Sequence, residues 1–138
     1  MSNQAVILLA HGARDPSWAT PFEAVVERVR ERAPEAVVRL AFLELMAPTL
    51  EEAGAGLAAL GCTRIAVVPA FLGMGGHVRR DVPAQLDRLR QAHPGVTWTL
   101  HEALGETPHV IAALADATVD LAGLGFTSAH SPLDGIGT

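Results

Sequence analysis

Ala5-Val6-Ile7-Leu8-Leu9-Ala10-His11-Gly12 is the stretch that decides the fold. Six consecutive apolar residues ending at a His-Gly pair describe a strand covered on both faces, because a strand with one wet face alternates apolar and polar positions. The same run-then-loop pattern recurs at Val37 to Leu43 and at Arg64 to Phe71. A fourth, weaker run, Gly95 to Leu100, alternates in the manner of an edge strand. Helical patterns fill the gaps. Pro16 to Arg32 places Phe22, Val25, Val26 and Val29 on one face, with Asp15 as N-cap and Pro16 at the first helical position. Pro48 to Leu60 closes at Gly61, Asp81 to Ala92 stops before Pro94, and Thr107-Pro108 opens a last helix running to about Ala122.

Strands alternating with helices of this length predict an α/β fold. The expected form is an open, flavodoxin-like parallel sheet of about four strands, with helices on both faces and right-handed crossovers. At 138 residues the chain fits one domain. Residues 1–125 are read as that domain and 126–138 as a frayed tail, since Ser128 to Thr138 has little apolar periodicity.

Composition narrows the function. The chain is 49% hydrophobic and 18% charged, which is globular, and its apolar runs are far shorter than the roughly 20 residues that span a bilayer. No basic n-region or export cleavage pattern is read at the N-terminus, so the expectation is a cytoplasmic protein without a membrane partner. A formal charge of −5, with all ten cations on Arg, argues against nucleic acid. Cys62 is the only cysteine, so a metal site would have to use imidazole and carboxylate.

In open parallel sheets, ligands bind beyond the carboxyl ends of the strands. The residues there are Ala10-His11-Gly12-Ala13-Arg14-Asp15, then Phe42-Leu43-Glu44-Leu45-Met46, then Phe71-Leu72-Gly73-Met74-Gly75-Gly76-His77, then His101-Glu102. The fold would bring His11 and His77 together although they stand 66 positions apart. Two neutral imidazoles with an open shell suit a first-row divalent metal that must later leave. Glu44 is a further ligand or a base, and Gly73, Gly75 and Gly76 would let a flat ligand approach the backbone. Met74, Leu45, Phe42 and Leu72 would give an apolar wall. Each feature alone has a plainer reading. A strand-end histidine can be a loop hydrogen-bond donor, Glu44 a solvated strand end, and the glycine segment a phosphate-binding or merely tight turn. His93, before Pro94, reads as a dipole-stabilising residue at a helix C-terminus, His109 and His130 as surface residues, and Cys62 as a small buried apolar group.

With these blocks in order, the chain from about Val6 to Leu121 resembles the short CbiX/SirB-type sirohydrochlorin chelatases. The matching stretches are Leu8 to Asp15, Ala41-Phe42-Leu43-Glu44-Leu45-Met46-Ala47-Pro48, and Val67 to Pro83. One departure is Ala13, where that family usually has serine. The resemblance implies a chelatase that inserts Co²⁺, Fe²⁺ or, in some relatives, Ni²⁺ into sirohydrochlorin, with His11 and His77 at the metal and Glu44 as the acidic site residue. It implies a homodimer as well. No organic cofactor is required. For the anionic macrocycle, Arg14 and Arg79 are the expected cationic contacts, with Leu45, Met74, Gly75 and Gly76 completing the substrate site. Two rivals are a metal or tetrapyrrole carrier with the same residues and a histidine phosphotransferase. The latter needs an Arg before the His, where Ala10 stands.

Overall fold

The computed structural model describes residues 3–125, so the expected tail at 126–138 lies outside the described residues. Four strands, β1 (Gln4–Ala10), β2 (Val37–Phe42), β3 (Arg64–Pro69) and β4 (Thr97–Leu100), form one sheet in the order β2-β1-β3-β4. All neighbours are parallel, with Leu8 opposite Leu40 on one side and Val68 on the other. The helices are α1 (Thr20–Arg32), α2 (Leu50–Ala59), α3 (Gly76–Ala92) and α4 (Pro108–Leu121). The expected open parallel α/β sheet is what forms, and the weak fourth run is indeed an edge strand.

The central strand shows why the apolar run is continuous. Ala5, Ile7 and Leu9 pack with Leu50, Ala53 and Leu57 of α2 and with Val78, Val82, Leu86 and Leu89 of α3. Leu8, on the opposite face, packs with Val26 of α1 and Val38 of β2. Gly54 sits where α2 meets α3 and β4. A Cβ there would lie 2.9 Å from Leu89 and 3.0 Å from Trp98, so glycine sets how closely these elements pack. Cys62 is buried, as read.

Three boundaries differ from the sequence reading. Asp15 does cap, accepting from the Ser17 amide at 2.9 Å, but the capped segment is a short 3-10 turn (Pro16–Ala19) and α1 begins at Thr20. Helix α2 begins at Leu50 rather than Pro48, because Thr49 and Glu52 close a reciprocal capping box. Helix α3 begins at Gly76 rather than Asp81, and buried Val78 extends the Val82-Leu86-Leu89 stripe by one turn. His77 therefore stands in the first turn of a helix, not in a loop.

The two faces of the sheet are unequally covered. Helix α4 buries none of its residues, and Ile111, Leu114 and Leu121 remain exposed.

Candidate functional site

Strand order reverses at β1: the chain passes from β1 to β2 on one side and returns to β3 on the other. The crevice beyond the carboxyl ends of β1 and β3 is therefore the expected ligand position. His11 follows β1 directly, and the segment from Phe71 to His77 follows β3.

Loop backbones are tied to one another before any side chain is considered. The Leu43 amide donates to the Ala10 carbonyl at 2.8 Å and the Glu44 amide to the His11 carbonyl at 3.1 Å, extending the β1–β2 pairing past both strands. Gly12 follows with φ +102°, and a Cβ there would strike the Glu44 backbone. This is the glycine the site needs. Gly75, by contrast, has φ −72° and ψ 170°, which any residue adopts, and nothing lies within 4 Å of a Cβ built there. Gly105 braces the other side: its amide donates to the Phe71 carbonyl at 2.8 Å, and a Cβ on it would collide with the Leu72 backbone.

On this frame the side chains form two imidazole–carboxylate pairs. His11 Nε2 lies 3.5 Å from Glu44 Oε1, and its ring meets Phe71 edge-on at 6.0 Å between centroids. His77 Nε2 lies 3.0 Å from Asp81 Oδ2, one helical turn further along α3. Sequence reading found Glu44 and missed Asp81, although the i, i+4 spacing was there to be used once the helix is known to begin at Gly76. All four side chains stay substantially open to solvent. Among the described residues no group of three or more His, Cys, Asp or Glu is gathered as a cation cage.

His11 and His77 share one cavity of about 750 Å³. Its lining is dominated by apolar groups: Leu8 and Phe22 from the sheet and α1, Phe71 and Leu72 after β3, and Leu104 and Val110 at the start of the α4 region. Gly73 and Gly75 line it as expected. Several other expected contacts lie elsewhere. Met74 packs against the α2–α3 core, Gly76 begins α3, and Leu45 is exposed on the bend after Glu44 with φ +68°. Arg79 turns back on the glycine segment, donating from Nε to the Met74 carbonyl at 2.8 Å and standing 3.9 Å from Glu106. Arg14 is exposed two positions past Gly12. His101 and His109 are also exposed, away from the cavity lining.

The CbiX family model matches residues 5–121, nearly the whole described chain. The protein belongs to the CbiX family. A solved CbiX protein from Marinobacter aquaeolei superposes with a TM-score of 0.76 at 36% identity, covering 87% of this chain and 98% of that one. SirB from Bacillus subtilis, solved with Fe³⁺, gives a TM-score of 0.76 at 28% identity, covering 94% of this chain and 50% of its own. A sirohydrochlorin cobaltochelatase of Methanosarcina acetivorans is 37% identical over 81 residues, 59% of this chain and 62% of the relative. The chain spans about half the length of the curated relatives it matches.

Proposed function

We propose that this CbiX-family chain is a chelatase inserting a divalent metal, cobalt or iron and by extension nickel, into sirohydrochlorin or a closely related tetrapyrrole. The observation that carries the reading is the shared cavity. Two histidines from opposite sides of the strand-order switch face one apolar space large enough for a planar macrocycle, and each is paired with a carboxylate. Relatives named for cobalt and iron chemistry support the choice of metals, which enter as substrate. No organic cofactor enters this reaction.

In the proposed reaction His11 and His77 hold the incoming M²⁺ and replace part of its water shell. Two ring N–H bonds of the macrocycle break and four metal–nitrogen bonds form as the metal's bonds to His11, His77 and its remaining water are released. Glu44, 3.5 Å from the His11 ring, accepts the departing protons in turn and passes them to solvent. No electrons change hands. Arg14 and Arg79 offer positive charge to the peripheral carboxylates, Gly75 keeps the turn before α3 thin, and Gly76 opens α3 beside it without adding bulk. Leu45, exposed beside Glu44 and outside the cavity lining, meets only the rim of the macrocycle in this scheme, a role supported by its strained backbone. An exposed leucine at φ +68° is costlier than Gly or Asn there, and such strain tends to be kept where function uses the side chain. Met74 serves indirectly, holding the turn by packing into the core.

Residues 1–125 are proposed to act as one domain, with the protein resident in the cytoplasm and no nucleic-acid or membrane partner. No described helix is long and apolar enough to cross a membrane. A homodimer is part of the same proposal. Helix α4, with no buried residue and an exposed Ile111, Leu114 and Leu121, supports it, because so apolar a surface is normally covered.

The test is an anaerobic absorbance assay of sirohydrochlorin with Co²⁺, Fe²⁺ or Ni²⁺, beside no-enzyme and His11→Ala/His77→Ala controls. Insertion faster than the uncatalysed rate and lost in the double variant is the expected result. A wild-type rate equal to the blank with all three metals would refute the chelatase and leave a carrier of metal or tetrapyrrole.

A further inference from the structure

Trp18, Phe22 and Val25 stand at i, i+4 and i+7, running from the 3-10 turn into α1, and all three line the cavity that holds His11 and His77. Their neighbour Val26 is buried against the sheet, yet Trp18 and Val25 remain 47% and 41% exposed. The Trp18 and Phe22 rings meet at 6.2 Å with a 47° tilt, so the stripe is a continuous aromatic ledge rather than scattered groups. A large aromatic side chain left in water beside two candidate metal ligands marks a surface that something apolar covers. The two histidines say what covers it: a ligand that brings its centre to a metal held by imidazole while presenting a flat conjugated face.

We infer that Trp18, Phe22 and Val25 form the ledge on which the tetrapyrrole plane rests, with its centre before His11 and His77. The inference depends on the chelatase reading for the ligand's identity and goes beyond it by assigning the face that holds the plane. That face is the α1 side of the sheet, whereas Leu45 and Met74 do not line the cavity. An indole offset over a conjugated macrocycle gains contact area and favourable ring electrostatics together, and stacking tolerates differences among peripheral substituents. The ledge would thus grip the plane, leaving the substituents to the arginines.

The chain offers its own reporter, because Trp18 and Trp98 are its two tryptophans and Trp98 is buried beneath α3, on the other side of the sheet. Metal-free sirohydrochlorin is titrated anaerobically into ¹⁵N-labelled protein, and the two indole N–H signals are followed, assigned by Trp18→Phe. The Trp18 signal is expected to move with the macrocycle's ring current while that of Trp98 stays still. Dissociation constants from absorbance titration are expected to rise about ten-fold in Trp18→Ala and to change little in Trp18→Phe, since phenylalanine keeps a stacking face. An unchanged Trp98 signal in Trp18→Ala certifies the fold. A Trp18 signal that ignores bound macrocycle, or wild-type affinity in Trp18→Ala, overturns the ledge. So does a Trp18 signal that shifts with protein concentration alone and no longer responds to ligand, which would mean a second copy occupies it. The ledge and the chelatase reading fail separately. Macrocycle binding at Trp18 without metal insertion refutes only the chelatase, and metal insertion by the wild type together with wild-type macrocycle affinity in Trp18→Ala refutes only the ledge.

Discussion

The loop that carries His11 and the turn that carries His77 solve the same problem in different ways. His11 is fixed through backbone: its carbonyl accepts from the Glu44 amide, Ala10 accepts from Leu43, and Gly12 leaves room for the neighbouring chain. His77 is fixed through a helix, standing in the first turn of α3 with Asp81 one turn away and 3.0 Å from its ring. The first arrangement couples the imidazole to its carboxylate through main-chain geometry that few substitutions can respect. The second depends on side chains and should yield gradually. A rigid half and an adjustable half suit a site that must hold a metal and then let it go.

The largest effect should come from Gly12→Ala. The new Cβ would need φ +102° and would meet the Glu44 backbone, so either the loop rearranges or the domain loses stability. We expect a loss of about 3 kcal/mol in urea denaturation, with metal insertion abolished even where the fold survives. Wild-type stability and activity in this variant would mean that the two loops are not coupled as described.

Asp81→Ala should have a middling effect, and a specific one. A carboxylate partner fixes ring orientation and tautomer of a metal-binding histidine, and removing such partners costs roughly ten-fold or more in affinity. Co²⁺ titration should show about that weakening for Asp81→Ala and a smaller one for Asp81→Asn, which keeps an oxygen acceptor. Equal affinity in all three proteins would show that His77 needs no orienting partner. Global stability should scarcely change, because the pair is exposed on both sides.

Leu45→Asn should move stability the other way. Asparagine tolerates φ +68° better than leucine, and little packing is lost because Leu45 is 59% exposed. A gain of up to about 1 kcal/mol is expected, accompanied by a higher KM for the macrocycle. A gain in stability with unchanged KM would remove Leu45 from the substrate site.

Much of this was legible in the chain. The continuous run from Ala5 to Ala10 announced a doubly covered central strand, and the segments following β1 and β3 held the two histidines that do share a cavity. What stayed hidden has physical causes. Phe22 and Val25 read as part of one apolar face with Val26 and Val29, and Trp18 drew no reading at all, because periodicity locates a stripe but cannot say whether protein or ligand covers it. Asp81 was obscured because the Gly75-Gly76 pair read as part of a ligand-binding turn and the helix as starting at Asp81, although glycine at a helix N-cap is ordinary. Gly12 was passed over for the glycine-rich segment, since composition counts glycines and only the backbone angle shows which one is needed.

Gly75→Ala tests that last distinction and should have the smallest effect on stability. Alanine is a poorer N-cap than glycine by several tenths of a kcal/mol, but it also restricts the unfolded chain by about 0.4–1 kcal/mol. With ψ 170°, φ −72° and no atom within 4 Å of the added carbon, neither strain nor collision tips the balance, so the net change should stay within about 0.5 kcal/mol. Binding is another matter. Gly75 lines the cavity, so its new methyl group would stand where a macrocycle lying close to the backbone must pass. Unchanged denaturation together with weaker sirohydrochlorin binding would mean that this glycine serves the ligand, as Gly12 serves the fold. Unchanged binding would move the macrocycle away from the turn before α3 and leave His77 to reach it alone.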